Sequence, residues 1–199
     1  MAKLSFKYGA MGSGKSIDLM RTAYNYEEKG FDTIVMKPKL DTKGNDKLDS
    51  RIGISRAVDI LIDDNTNIVE EVNNILTKDL KCIFVDEVQL LPSNKIDELY
   101  LVSKIFDIPV ICYGLRTNFK MNGFSGSTRL LEIADSLEEI KTICKCGEIA
   151  RFNARKVNGK YTLDGDDIII DGTDSKVEYI PLCGDCYLKK VKKIDYKIF

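Results

Sequence analysis

The segment Gly9-Ala10-Met11-Gly12-Ser13-Gly14-Lys15-Ser16 fits the pattern G-x-x-x-x-G-K-[ST], and its reading decides the fold. A short apolar run, Leu4-Ser5-Phe6-Lys7-Tyr8, precedes it, and a helix-like stretch begins at Lys15. Strand, glycine loop and helix in that order form a phosphate cradle. The glycines let successive backbone N–H groups turn toward one anion, and the helix N-terminus adds positive potential there. In such a loop Lys15 reaches the β- and γ-phosphates and the Ser16 hydroxyl ligates Mg²⁺. Gly9, Ala10, Met11, Gly12, Ser13, Gly14, Lys15 and Ser16 are therefore the expected nucleotide-triphosphate loop.

Outward from this loop, short β-like runs alternate with longer helical ones over residues 1–140. The strands expected are Lys3–Tyr8, Thr33–Lys37, Lys81–Val85 and Ile108–Tyr113, each rich in Ile, Val, Phe or Tyr. The helices expected are Lys15–Lys29, stopping at Gly30, then Ile68–Leu76 after the capping residues Asn65-Thr66-Asn67, and Ser93–Phe106 after Pro92. Ile96, Leu99, Val102, Ile105 and Phe106 recur at spacings of three and four and predict one buried face. The alternation implies an α/β domain with a parallel sheet whose active site lies at the carboxyl ends of the strands. Two stretches, Lys37–Ser55 and Arg116–Thr128, read as polar, irregular loops.

Lys81-Cys82-Ile83-Phe84-Val85-Asp86-Glu87 is an apolar strand ending in two acids. Asp86 has the place of the acid that holds Mg²⁺ opposite a phosphate loop. Glu87, one residue on, is positioned to take a proton from an attacking hydroxyl or water. The chain contains no histidine, so a general base must be a carboxylate, Lys, Tyr or Cys, and Glu87 is the best placed of these.

The 199 residues allow one domain with a small appendage, and 44% hydrophobic content is enough for a core. A formal net charge of −1 argues against a general nucleic-acid binder. No apolar run approaches the ~20 residues that span a bilayer, and Met1-Ala2-Lys3 leads straight into a strand. A cytoplasmic protein without a signal peptide or membrane partner is expected. Six cysteines are present. Cys144-x-Cys146 and Cys183-x-x-Cys186 form two close pairs with Gly147 and Gly184 at their turns, which suits one tetrahedral Zn²⁺ in a structural role. Cys82 and Cys112 fall inside strands and read as small core residues. Residues 141–190 thus form a second, four-cysteine module, with a β-like centre at Asp167–Ile170, and residues 191–199 a basic, solvated tail.

Taken together, the methionine-bearing loop Gly9–Ser16, the strand end Asp86-Glu87-Val88-Gln89, the stretch Tyr113-Gly114-Leu115-Arg116-Thr117-Asn118-Phe119, Arg51-Ile52-Gly53 and the cysteine quartet resemble the type II thymidine kinase family. The resemblance runs from Lys3 to about Leu188. It implies a RecA-like core, a zinc module whose lasso, here Arg151–Leu182, folds over thymine, and a homotetramer. It further implies ATP with Mg²⁺ as donor, thymidine as acceptor, dTMP as product and feedback inhibition by dTTP. Carried over residue by residue, Lys15 and Ser16 serve phosphate and magnesium, and Glu87 takes the proton of the 5′-hydroxyl. Arg51 adds a catalytic cation, and Met11, Leu115, Phe119, Phe124 and Tyr179 meet the nucleoside. Lys43 stands where the family often has Arg, which keeps the charge and loses the bidentate fork. The alternative reading is a RecA-like ATPase whose zinc module grips DNA; the acidic character of Leu163–Glu178 speaks against it.

Overall fold

The computed structural model describes residues 1–41, 44, 46–50, 53–166 and 177–194. The strands of the larger unit are β1 (Leu4–Tyr8), β2 (Asp32–Pro38), β3 (Lys47–Asp49), β4 (Ser55–Ala57), β5 (Ile60–Ile62), β6 (Leu80–Val85), β7 (Val110–Gly114) and β8 (Ser136–Glu139). Six of them form one sheet in the order β5-β2-β6-β7-β1-β8, with every neighbouring pair parallel. The helices α1 (Lys15–Glu27), α2 (Ile68–Asn74), α3 (Ser93–Ile105) and α4 (Ser125–Ile133) supply the crossovers.

A parallel sheet covered on both faces needs continuous apolar strands, and Cys82, Ile83, Phe84 and Val85 are all fully buried. On one face Leu19, Met20 and Ala23 of α1 pack on Val35, Phe84 and Tyr113. On the other, Ile68 and Val72 of α2, Ile96, Leu99 and Val102 of α3 and Leu130 of α4 pack on Phe6, Met36, Ile83 and Val85. Each such side chain contributes roughly 1.5–3 kcal/mol by leaving water. Cys82 and Cys112 are buried in these layers, with burial pushing the Cys82 thiol up to about 12.

The helices α1, α2 and α3 begin where the sequence places them and end one or two residues early. Ile105 departs from its predicted buried face and is 59% exposed. Repeated steps of three drift around a helix of 3.6 residues per turn, so Ser103, fully buried, takes the inward position instead. Asn67 does cap α2, its side chain accepting the Glu70 N–H at 3.2 Å. Asn67→Ala is expected to cost about 1 kcal/mol, read as a lower thermal midpoint; an unchanged midpoint would remove the cap from the helix's stability.

The stretch expected as a loop after Lys37 instead holds the β3–β4 hairpin, in which Leu48 is buried against the α1 side of the sheet. Three-residue strands with a single apolar residue carry no period to read. Likewise α4 starts at Ser125, inside the stretch expected to be irregular. The Lys43, Arg51 and Ile52 readings lie outside the described residues.

Beyond residue 140 come β9 (Thr142–Ile143), β10 (Ile149–Ala150), β11 (Phe152–Val157), β12 (Lys160–Thr162) and β13 (Val177–Leu182), then the short helix α5 (Gly184–Tyr187). β9 and β10 form a hairpin, and the other three form an antiparallel sheet in the order β12-β11-β13. Much of the segment expected as a lasso, Arg151–Leu182, is therefore paired strand, because its two ends hydrogen-bond to each other from Phe152–Leu182 to Val157–Val177. The β-like centre expected at Asp167–Ile170 lies outside the described residues. The tail does not begin free of the fold. Val191, in a helical turn spanning Leu188–Lys192, is buried with Tyr187, Leu182 and Ala154 in a third apolar cluster.

Candidate active site

The loop 9–16 sits at the carboxyl end of β1. Gly14 holds φ +85°, a left-handed conformation that suits a residue without Cβ, and offers no side chain to cap α1. The N–H groups that open α1 therefore lack intrahelical acceptors and face a prospective anion. Lys15 is buried, its Nζ donating to the carbonyls of Gly9 and Ala10 at 3.1 Å each. The Ser13 hydroxyl is buried without a partner among the described residues. A buried hydroxyl left unpaired is costly, and it marks a cradle that suits phosphate oxygens.

β7 lies between β1 and β6 and is parallel to both, so the loop and the acids Asp86 and Glu87 follow strands that end at the same carboxyl edge of the sheet, one strand apart. Asp86 is 2% exposed and hydrogen-bonded by the Ser16 side chain and the Glu87 N–H, the latter at 3.0 Å. Burial, then the charge of Glu87, push its carboxyl up to about 7, against Ser16, that N–H and Lys15. A dication beside Ser16 and Asp86 would reverse this balance, so the pair fits Mg²⁺ chemically. Glu87 is half-buried, holds φ +50° and opens a helical turn, Val88–Leu90, that carries the chain away from the sheet.

Of the residues expected to meet a nucleoside, Met11 is half-buried in the loop, and its N–H donates to Asn153 Oδ1 at 2.8 Å. Asn153 belongs to β11, so the second unit is fastened to the phosphate loop at this atom. Leu115 and Phe124 are half-buried, following β7 and preceding α4. Tyr179, half-buried on β13, pairs in register with Arg155 on β11 and shares its face of the sheet. Phe119, expected to face a ligand, is 1% exposed. The Arg155 guanidinium lies 3.7 Å from its ring centre, and the Tyr187 hydroxyl donates to its carbonyl. Arg155 is itself buried and donates to the carbonyls of Asp164 and Asp166. Sequence reasoning missed Asn153, Arg155, Tyr187 and Gln89, whose partners all lie far along the chain or across a turn. Arg51 lies outside the described residues.

The ligand atoms of Cys144, Cys146, Cys183 and Cys186 lie within 4.8 Å of one another, and Cys146 Sγ and Cys183 Sγ are 3.5 Å apart. Thiolates ~2.3 Å from a tetrahedral Zn²⁺ sit about 3.8 Å apart, so the quartet fits that ion. The Cys186 N–H donates to Cys183 Sγ at 3.4 Å, an outer bond of the kind that fixes a metal ligand. Burial opposes ionisation of Cys144, yet hydrogen bonds from the backbone at 146 and 183 and from neighbouring thiols bring it down to about 6.

Phosphate loop, parallel sheet with an interposed strand, and paired acids define a P-loop nucleotide-binding protein of RecA-like architecture. A solved ATPase domain shares this fold, with a TM-score of 0.50 and 12% identity over 89% of this chain and 80% of that one. A family model described as thymidine kinase matches residues 2–187. The curated thymidine kinase of Francisella tularensis strain SCHU S4 is 40% identical over 92% of this chain and 95% of its own. That of Haemophilus influenzae strain Rd is 42% identical over 98% of this chain and 100% of its own. The chain belongs to the thymidine kinase family.

Proposed function

We propose that this protein transfers the γ-phosphoryl group of ATP to the 5′-hydroxyl of thymidine, giving dTMP and ADP. The observation that carries the reading is a second carboxylate, Glu87, directly beyond the Asp86 that Ser16 of the phosphate loop hydrogen-bonds, in a member of the thymidine kinase family. Phosphoryl transfer asks the protein for in-line positioning and charge neutralisation. The loop amides and Lys15 offset charge on the β- and γ-oxygens, with Lys15 exchanging its present carbonyl partners for phosphate. Ser16 and Asp86 hold Mg²⁺, which supplies further neutralisation when bound with the nucleotide. Glu87 accepts the proton of the 5′-hydroxyl as that oxygen attacks phosphorus and the bond to the β-phosphate oxygen breaks. Arg51, with Lys43 near it in the chain, adds a cation from the polar segment.

Met11, Leu115, Phe124 and Tyr179 line the acceptor pocket, and Phe119 backs it beneath Arg155. A single thymine methyl discriminates by only ~1–3 kcal/mol, so rejection of cytosine rests on matched backbone donors and acceptors. Cys144, Cys146, Cys183 and Cys186 hold a Zn²⁺ that is structural, since four thiolates leave no open position. A cytoplasmic homotetramer inhibited by dTTP belongs to the same reading, on the family resemblance alone.

The test is a screen of the four deoxynucleosides with ATP and Mg²⁺, reading products by mass. A monophosphate from thymidine and little from the purines is the expected outcome. DNA-stimulated ATP hydrolysis without any nucleoside monophosphate would move the chain to the DNA-binding ATPase reading.

A further inference from the structure

We infer that Gln89 is a positioning residue that fixes the Glu87 carboxylate relative to the chain that leaves β7 at Leu115; the inference rests on the kinase reading above. Gln89 is 5% exposed, and a buried primary amide needs partners at both ends. Its Nε2 donates to Glu87 Oε2, and its Oε1 accepts the Leu115 N–H at 3.0 Å. The orientation is forced, because an ionised carboxylate only accepts and a backbone N–H only donates. One amide therefore ties the proton acceptor to the first residue after β7.

The local backbone makes this reach possible. The left-handed conformation at Glu87 and the tight turn over Val88–Leu90 fold residue 89 back toward residue 87. Across the gap, a Cβ on Gly114 would lie 2.6 Å from Gln89 Oε1, so the glycine leaves room for that oxygen beside the Leu115 N–H. The bond occupies one oxygen of Glu87 and leaves the other for an incoming hydroxyl. Without it, a half-buried glutamate samples several rotamers, most of them unproductive. A misplacement of ~1 Å costs as much as 10²-fold in rate.

Two substitutions separate positioning from packing. Gln89→Leu removes both polar ends. Gln89→Glu retains an acceptor for Leu115 and removes the donor to Glu87. Both are expected to lower kcat for thymidine roughly 10- to 100-fold, with the KM for ATP within about twofold of the wild type. The decisive reading is a double-mutant cycle. In a Glu87→Gln background, Gln89→Leu should lower kcat by less than about twofold, since the group it positions is gone. A merely structural Gln89 would cost the same factor in both backgrounds, and that result overturns the inference, as does a Gln89→Glu enzyme that turns over normally. If Gln89→Leu does not fold, the same cycle is run with Gln89→Glu. A wild-type protein inert toward thymidine would overturn the kinase reading and this inference together; an active wild type with additive losses overturns the inference alone.

Discussion

Glu87→Gln is expected to lower kcat for thymidine phosphorylation by about 10²–10⁴-fold while leaving ATP affinity within a few-fold. The substitution keeps the size of the side chain and a hydrogen-bonding partner for Gln89, and removes the ability to take a proton. Asp86 cannot replace it. That carboxyl is 2% exposed and held by the Ser16 side chain and the Glu87 N–H. Glu87 is half-buried at the start of the turn, with its carboxylate accepting from Gln89 Nε2. Steady-state kinetics gives kcat, and nucleotide titration gives the affinity. Turnover near that of the wild type would remove Glu87 from the chemistry and leave the cradle without its partner.

The second large effect concerns the thiols. Cys183→Ser is expected to abolish zinc retention and unfold the unit beyond residue 140. Structural zinc binding in small peptides is worth about 10–16 kcal/mol, enough to decide the folding of a unit whose apolar cluster centres on Ala154, Leu182, Tyr187 and Val191. Cys183 matters doubly, because its sulfur also accepts the Cys186 N–H that opens α5. Metal analysis of the wild type should find one zinc per chain, and a strong chelator should release it. With no tryptophan in the chain, tyrosine emission reports the loss of packing around Tyr187. A wild type that carries no zinc and an unaltered melt on chelation would show that the quartet holds nothing.

The four longest parallel strands and α1, α2 and α3 were legible because each carries a period or a continuous apolar run long enough to read. β3–β5 and β8–β10 were not, being two to four residues long and stabilised by neighbours that only the folded chain supplies. The phosphate loop, Asp86, Glu87 and the cysteines stood out because their chemistry is local in sequence. The residues that orient them did not. Arg155 reads as an ordinary charged strand residue, yet it is 1% exposed because a ring at 119 and the carbonyls of Asp164 and Asp166 wait for its guanidinium. Phe119 was expected to face a ligand for the same reason: its polar neighbours give no hint of that cation or of the Tyr187 hydroxyl.

That phenol links two places that look separate. It follows Cys186 of the quartet in sequence and donates to the Phe119 carbonyl in space. Slack introduced among the thiols would therefore travel by two routes, through this phenol to the chain at Phe119 and through Asn153 to the phosphate loop.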